Sequence, residues 1–89
     1  MTTLFVRHTV KDYAAWRKIY DGAGPIQKQH GVTKEAVYQS ADNPNDVTVT
    51  HDFATAAAAK AFMALPELKQ AMQKGGVVGA PTFWIANKA

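Results

Sequence analysis

The chain contains no cysteine among its 89 residues, which excludes disulfide bonds and thiolate metal sites. A chain of this length forms a single domain, residues 1–89, and buries only about 60–65% of the surface that it exposes when unfolded. Such a domain is marginally stable by itself. Because covalent staples are absent and 47% of the residues are hydrophobic, self-association is the remaining stabiliser. We therefore expect a homodimer.

Long hydrophobic runs and concentrated charge are also missing. No apolar stretch approaches the ~20 residues of a membrane-spanning helix, and the amino terminus alternates in polarity, unlike the apolar centre of a signal peptide. Ten Lys and Arg residues against seven acidic ones give a net charge of +3, yet no basic cluster exceeds Arg17-Lys18. Nucleic-acid binding requires a basic stripe with interleaved aromatic residues. We expect a soluble, cytoplasmic protein that binds neither nucleic acid nor membrane.

Hydrophobic periodicity predicts alternating strands and helices. Period-2 alternation predicts four strands, at residues 2–10, 32–40, 47–53 and 82–86. Period-3.6 patterns with capping residues predict a helix from Tyr13 after Asp12, a short piece over 26–30, a helix over 56–65 and a piece over 67–74. Residues 77–81, which contain Gly79 and Pro81, are predicted as a loop.

The order of elements is β-α-β-β-α-β. Right-handed crossovers fold such a chain into an α+β, ferredoxin-like plait: a four-stranded antiparallel sheet with the helices on one face. The expected spatial order is strand four, one, three, two. The first and third strands are then central neighbours.

Two histidines lie on the apolar sides of these central strands. His8 shares its face with Leu4, Val6 and Val10, and His51 shares its face with Val47, Val49 and Phe53. We expect this face to meet the helices, although the sequence also allows the opposite assignment. An imidazole buried among apolar side chains requires a hydrogen-bond partner or indicates a functional role.

Aromatic residues on the first helix complete a candidate site. Tyr13, Trp16 and Tyr20 occupy one helical face, and with the histidines opposite they form a wall with several polar groups, as small-molecule sites do. We predict His51 as a general base with His8 as its partner, for a flat aromatic ligand. The strand aromatics Tyr38 and Trp84 are further candidates. The alternative is that all these side chains are core residues, with the histidines satisfied by hydrogen bonds. No metal site and no cofactor are predicted, since no histidine spacing typical of metal ligands occurs.

The opposite sheet face is of mixed polarity. It carries Phe5, Arg7 and Thr9 on the first strand and Thr48, Thr50 and Asp52 on the third strand. An ion pair between Arg7 and Asp52 across these strands is predicted. A face of this kind suits a two-fold dimer interface.

Several segments carry a family resemblance. They are Phe5-Val-Arg-His-Thr-Val-Lys-Asp-Tyr13, Trp16 and Tyr20, Asp42-Asn-Pro-Asn-Asp-Val-Thr-Val-Thr-His-Asp-Phe53, Ala58–Phe62, Leu65–Lys69 and Pro81–Trp84. On these residues the chain resembles the dimeric α+β barrel superfamily, which includes antibiotic biosynthesis monooxygenases and small cyclase-like proteins. The resemblance implies a homodimer whose sheets pack face to face, with the ligand between sheet and helices.

Three functions follow as alternatives. The leading expectation is binding, with acid/base processing, of a small hydrophobic or aromatic molecule. The resemblance also implies a cofactor-independent monooxygenase or a cyclase of secondary metabolism. In such oxygenases a Trp, an Asn and a Tyr or His serve the substrate, whereas here no Asn lies in a predicted strand or helix. A non-catalytic stress or assembly protein, whose pocket is filled by its own side chains, is the third alternative.

Overall fold

The computed structural model describes residues 1–89 as eight regular elements. The four strands are β1 Thr2–Val10, β2 Lys34–Gln39, β3 Asp46–Phe53 and β4 Val77–Asn87. The four helices are α1 Tyr13–Gly22, α2 Gly24–Gln29, α3 Ala56–Met63 and α4 Pro66–Lys74. Each predicted helical region is therefore a pair of short helices, since Gly24-Pro25 and Leu65-Pro66 interrupt the helical hydrogen-bond ladder. None of the helices has the length and apolar character required to cross a membrane.

The sheet has the predicted antiparallel topology. Its order is β2-β3-β1-β4, with β1 and β3 at the centre. Leu4 lies opposite His51, Val6 opposite Val49, and His8 opposite Val47. This register places the two histidines on one face, several residues apart along the strands.

The prediction of a loop at residues 77–81 was wrong, because β4 begins at Val77. Arg7 pairs with Thr82 and Thr9 pairs with Val78, so three residues of β4 lie opposite His8. This irregularity in the ladder accommodates Gly79, whose φ is +73°, and Pro81, which lacks an N–H donor. An edge strand tolerates both residues because one side of its backbone needs no partner.

The core lies between the sheet and the helices. The helix-facing residues of β1 and β3 are buried, including both histidines, as expected. The apolar core consists of Leu4, Val6, Val10, Trp16, Val47, Val49, Phe53, Ala59 and Phe62. The histidines therefore face the helices, and the opposite assignment is excluded.

The outer sheet face carries a different ion pair from the predicted one. The Arg7 guanidinium donates to both carboxylate oxygens of Asp46, at 3.1 and 2.7 Å. Asp52 instead accepts a hydrogen bond from the Thr3 hydroxyl at 2.7 Å. The reason is register: Thr3, and not Arg7, lies opposite Asp52 in the β1–β3 ladder.

Candidate ligand cavity and the Tyr20–His51 pair

The start of α1 is fixed by two side chains outside the helix. The Asp12 carboxylate accepts a hydrogen bond from the Ala14 N–H at 3.2 Å, which is an N-cap. Asn45, in the β2–β3 turn, accepts from the Tyr13 N–H at 3.1 Å. The turn that precedes β3 therefore sets the position of α1 over the sheet.

This placement stacks α1 aromatics toward His51. The Trp16 and Tyr20 rings are nearly parallel, with centroids 5.0 Å apart. The Tyr20 and His51 rings are also nearly parallel, at 6.1 Å. Phe62 of α3 contacts His51 edge-on, with centroids 5.2 Å apart. Helix and sheet thus hold the imidazole between two aromatic rings.

A cavity of about 70 Å³ opens beside this stack. It is enclosed by α1, α2 and α4 above the sheet, and twelve of its fifteen lining residues are hydrophobic. The lining residues are Val6, Trp16, Ile19, Tyr20, Ala23, Ile26, Gln27, Val49, His51, Phe62, Leu65, Glu67, Leu68, Ala71 and Met72. Ile19 and Ile26 are partly exposed, so the cavity reaches the surface between α1 and α2.

Tyr20 and His51 form a hydrogen bond at this cavity. The Tyr20 hydroxyl lies 3.3 Å from Nε2 of His51, which is only 3% exposed, while Nδ1 of the same ring is buried without a partner. Burial lowers the pKa of His51 to about 4, against an opposing effect of Asp52. Burial also raises the pKa of Tyr20. Near neutral pH the pair therefore consists of an uncharged imidazole that can accept a proton and a phenol that can donate a hydrogen bond.

Two polar residues near the pair were not predicted from the sequence. Gln27 of α2 lines the cavity and is buried, and it acts on the Tyr20 hydroxyl by lowering its pKa. Glu35 of β2 lies opposite His51 in the β2–β3 ladder, and its carboxylate raises the pKa of Tyr20. The alternation of β2 places Glu35 on the same face as Val37, and this was the one sequence signal that could have identified Glu35 as a residue near the site. The register that brings it beside His51 could not be predicted.

His8 does not contact His51, so the predicted pairing of the two histidines was wrong. Four residues of strand, about 13 Å, separate His51 from Val47, the residue opposite His8. His8 contacts Trp16 edge-on at 5.6 Å, and both its ring nitrogens are buried without a partner. Burial lowers the pKa of His8, and Asp46 opposes this. Face periodicity predicted a shared face correctly but carries no information on position along the strand.

Three predicted ligand-binding residues lie outside the cavity, while Trp16 and Tyr20 line it. Tyr13 packs against Trp16 at 5.8 Å, near the start of α1. Tyr38 is 58% exposed and lies opposite Thr48 on the outer sheet face. Trp84 lies on the same outer face, 43% exposed and stacked on Phe5 at 5.1 Å. The strand period explains both strand residues, because their positions alternate away from the helices.

A larger groove of about 340 Å³ lies between α4 and β4. Its lining includes Met63, Met72 and Phe83, with Lys69 and Gln73 as exposed polar residues. It thus offers apolar packing surface, whereas the smaller cavity combines apolar walls with a buried, hydrogen-bonded imidazole. The smaller cavity is therefore the candidate site.

Solved structures match this architecture over nearly the whole chain. The fold is similar to that of a protein provisionally assigned as an antibiotic biosynthesis monooxygenase from Bordetella bronchiseptica, with a TM-score of 0.85 and 15% identity over 99% of this chain and 96% of that one. A protein of the same provisional assignment from Nitrosomonas europaea has a TM-score of 0.77 and 16% identity over 99% and 98%. SnoaB, a cofactor-independent oxygenase from Streptomyces nogalater, has a TM-score of 0.75 and 13% identity over 99% and 94%.

No protein-family model matches the chain, and no curated protein matches its sequence. Identities this low establish the fold alone. The resemblance predicted from the sequence is confirmed at that level: the chain has the ferredoxin-like fold of the antibiotic biosynthesis monooxygenase type. Because such folds host many activities, function must be argued from the site.

Proposed function

We propose that this protein binds a small apolar molecule in the cavity beneath α1 and α4, and that the Tyr20–His51 pair transfers a proton to or from it. The observation that carries the proposal is the His51 imidazole. It is buried, hydrogen-bonded through one nitrogen and unpartnered at the other, at the wall of a mainly apolar cavity. Burying an unsatisfied ring nitrogen costs about 1–3 kcal/mol, which a ligand group that pairs with it would offset.

The chemistry follows from the protonation states of the pair. With its proton on Nε2, neutral His51 donates a hydrogen bond to the Tyr20 oxygen, and its free Nδ1 accepts a proton from an acidic C–H or O–H group of the ligand. Tyr20, which remains protonated, donates a hydrogen bond to a carbonyl or developing oxyanion. His8 has no direct part, because it lies about 13 Å away along the strands.

The cavity volume limits the ligand. At about 70 Å³ it lies well below the roughly 300–1,000 Å³ of sites for drug-sized ligands. The aromatic walls of Trp16 and Tyr20 still favour a flat group. This volume excludes a fused polycycle, and a single ring enters only by extending into the opening between α1 and α2.

A thermal-shift screen of single-ring compounds tests binding, because a ligand of the native state raises the melting temperature. The decisive variant is Ala71→Leu, which adds three carbons to the cavity lining. Its matched control, Ala57→Leu, places the same side chain on the exposed side of α3. Hits that disappear in Ala71→Leu and persist in Ala57→Leu support the site, whereas hits unaffected by Ala71→Leu exclude it.

Acid/base chemistry is tested separately. A small aryl ketone that binds should exchange its α-protons with D₂O faster in the presence of the protein, as followed by proton NMR. The acceleration should be lost in His51→Leu and retained in His8→Leu. Binding without any acceleration would leave a ligand-binding protein and remove the catalytic part of the proposal.

The likeness to SnoaB favours a second candidate, a cofactor-independent oxygenase. A proton-accepting His51 beside Trp16 is compatible with this class, although neither Asn45 nor Asn87 lines the cavity. Asn45 caps α1, and Asn87 accepts a hydrogen bond from Thr2 at 2.7 Å. Dioxygen uptake in the presence of a bound ligand, absent in His51→Leu, would support the oxygenase. A cavity that binds nothing would instead favour a non-catalytic role.

We also propose a homodimer formed through the outer sheet face. Trp84 is exposed there and stacks on the half-buried Phe5, and the exposed Tyr38 extends the aromatic surface toward the other edge. Large apolar side chains on an open sheet face are typical of interfaces.

A further inference from the structure

Among the residues that line the cavity, the charge is negative. No Lys or Arg lines it, and the only charged lining residue is Glu67 of α4. A second carboxylate, Glu35, lies opposite His51 on β2. A ligand entering the cavity therefore meets one carboxylate, Glu67, and no cation among the lining residues, while Glu35 lies outside the lining on the neighbouring strand.

The nearest candidate cation is occupied elsewhere. The Arg17 guanidinium lies over the Tyr20 ring, 5.4 Å from its centroid, and its Nε donates to Asp21 at 3.0 Å. Glu35 outweighs Arg17 in its effect on the pKa of Tyr20. His51 adds no positive charge near neutral pH, because burial holds its pKa at about 4.

We infer that the cavity selects uncharged ligands and rejects carboxylates, with Glu35 and Glu67 as the specificity-determining residues. The polar groups that it offers are the Tyr20 hydroxyl, the Gln27 amide and the His51 ring. All three pair with a neutral hydroxyl or carbonyl group. A carboxylate would lose its hydration without gaining a cation and would be repelled by both glutamates. The ligand class is thus a single-ring alcohol, phenol or ketone. This inference rests on the proposed function, since it concerns the same cavity.

The test is isothermal titration of the full chain at pH 7.5 with benzyl alcohol and with benzoate, which have similar size and differ in charge. Benzyl alcohol should bind at least about tenfold more tightly than benzoate. Glu35→Gln and Glu67→Gln should each raise the affinity for benzoate several-fold relative to the affinity of the same variant for benzyl alcohol. Both glutamates are exposed, so the variants should fold.

The matched control is Asp42→Asn, which makes the same change in net charge on an exposed turn residue that does not line the cavity. It should leave the ratio of affinities unchanged. Equal binding of the two probes, abolished by Ala71→Leu, would overturn charge selection and leave the proposed function intact. Charge selection would also be overturned if the two glutamate variants changed the ratio of the affinities for benzyl alcohol and benzoate no more than Asp42→Asn does. Failure of both probes to bind would contradict the proposed function and this inference together.

Discussion

Two buried histidines of one sheet face have different surroundings. His51 has a phenol as partner and a cavity beside it. His8 has neither, and it packs against Trp16 opposite the irregularity of β4. Sequence reasoning predicted both positions as buried, because alternation defines a face. It could not separate their roles, because the Tyr20 partner is set by where α1 crosses the sheet.

Both histidines should make stability depend on pH. Burial lowers the pKa of His51 to about 4 and also lowers that of His8, so the unfolded chain binds protons more tightly. Stability is therefore highest above pH 6.5 and falls as the pH decreases toward 4. His51 alone accounts for about 3 kcal/mol of this loss.

Urea unfolding between pH 7.5 and 4 measures this dependence. His51→Leu should flatten the curve, and His8→Leu should flatten it further. A wild-type stability that is constant from pH 7.5 to 4 would contradict the buried neutral state of both rings.

Gly75 sets how closely the end of α4 approaches the aromatic stack. A Cβ at this position would lie 2.8 Å from Cδ1 of Trp16. Gly75→Ala should therefore displace the indole and destabilise the protein by about 1–3 kcal/mol, with weaker ligand binding. Gly22→Ala is the control, because a Cβ there meets no atom within 4 Å. Equal unfolding midpoints for the two variants would show that Trp16 has room to move.

At the scale of elements, local sequence patterns predicted whether a segment is a helix or a strand better than they predicted the residues at which it begins and ends. Asp12 was predicted as the residue that begins the first helix, and both Asp12 and Thr55 accept a backbone hydrogen bond at a helix start. The β4 strand was predicted six residues too short, five of them at its start, since Gly79 and Pro81 are turn signals in isolation. Pairing with β1 overrides that local preference, which is a tertiary effect that no window of sequence contains.

The contact between the β2–β3 turn and α1 should matter for both stability and binding. Asn45→Ala removes the acceptor for the Tyr13 N–H and should cost about 1 kcal/mol. It should also weaken ligand binding, because α1 carries Trp16 and Tyr20. Asn45→Asp keeps an acceptor and places a negative charge at the helix start, so it should retain stability. Thermal unfolding of both variants checks this prediction. Identical melting temperatures for Asn45→Ala and Asn45→Asp would show that the hydrogen bond to the Tyr13 N–H does not contribute to stability.

For the whole molecule, the proposed homodimer depends on the outer sheet face. Mixed polarity on this face was predicted from alternation alone, but the Phe5–Trp84 stack depends on the β1–β4 register. The sequence could therefore predict the polarity of this face but not the position of its aromatic stack.

Sedimentation analysis at micromolar concentration should give a mass of twice 9.7 kDa. Trp84→Glu should give the monomer, because an unpaired carboxylate at the centre of an apolar interface is costly. Met63→Glu makes the same kind of change at an exposed apolar residue of α3 and should preserve the dimer. A wild-type monomer, or a dimer lost only in Met63→Glu, would exclude the sheet face as the interface.

The proposed function requires that a ligand in the cavity contacts the Tyr20–His51 pair. The most direct measurement is the NMR spectrum of ¹⁵N-labelled histidine rings at pH 7.5, recorded during titration with benzyl alcohol. We expect a neutral His51 ring whose nitrogen resonances move with added ligand, while those of His8 and His30 stay in place. Saturable binding that leaves the His51 resonances unmoved would contradict the proposed function.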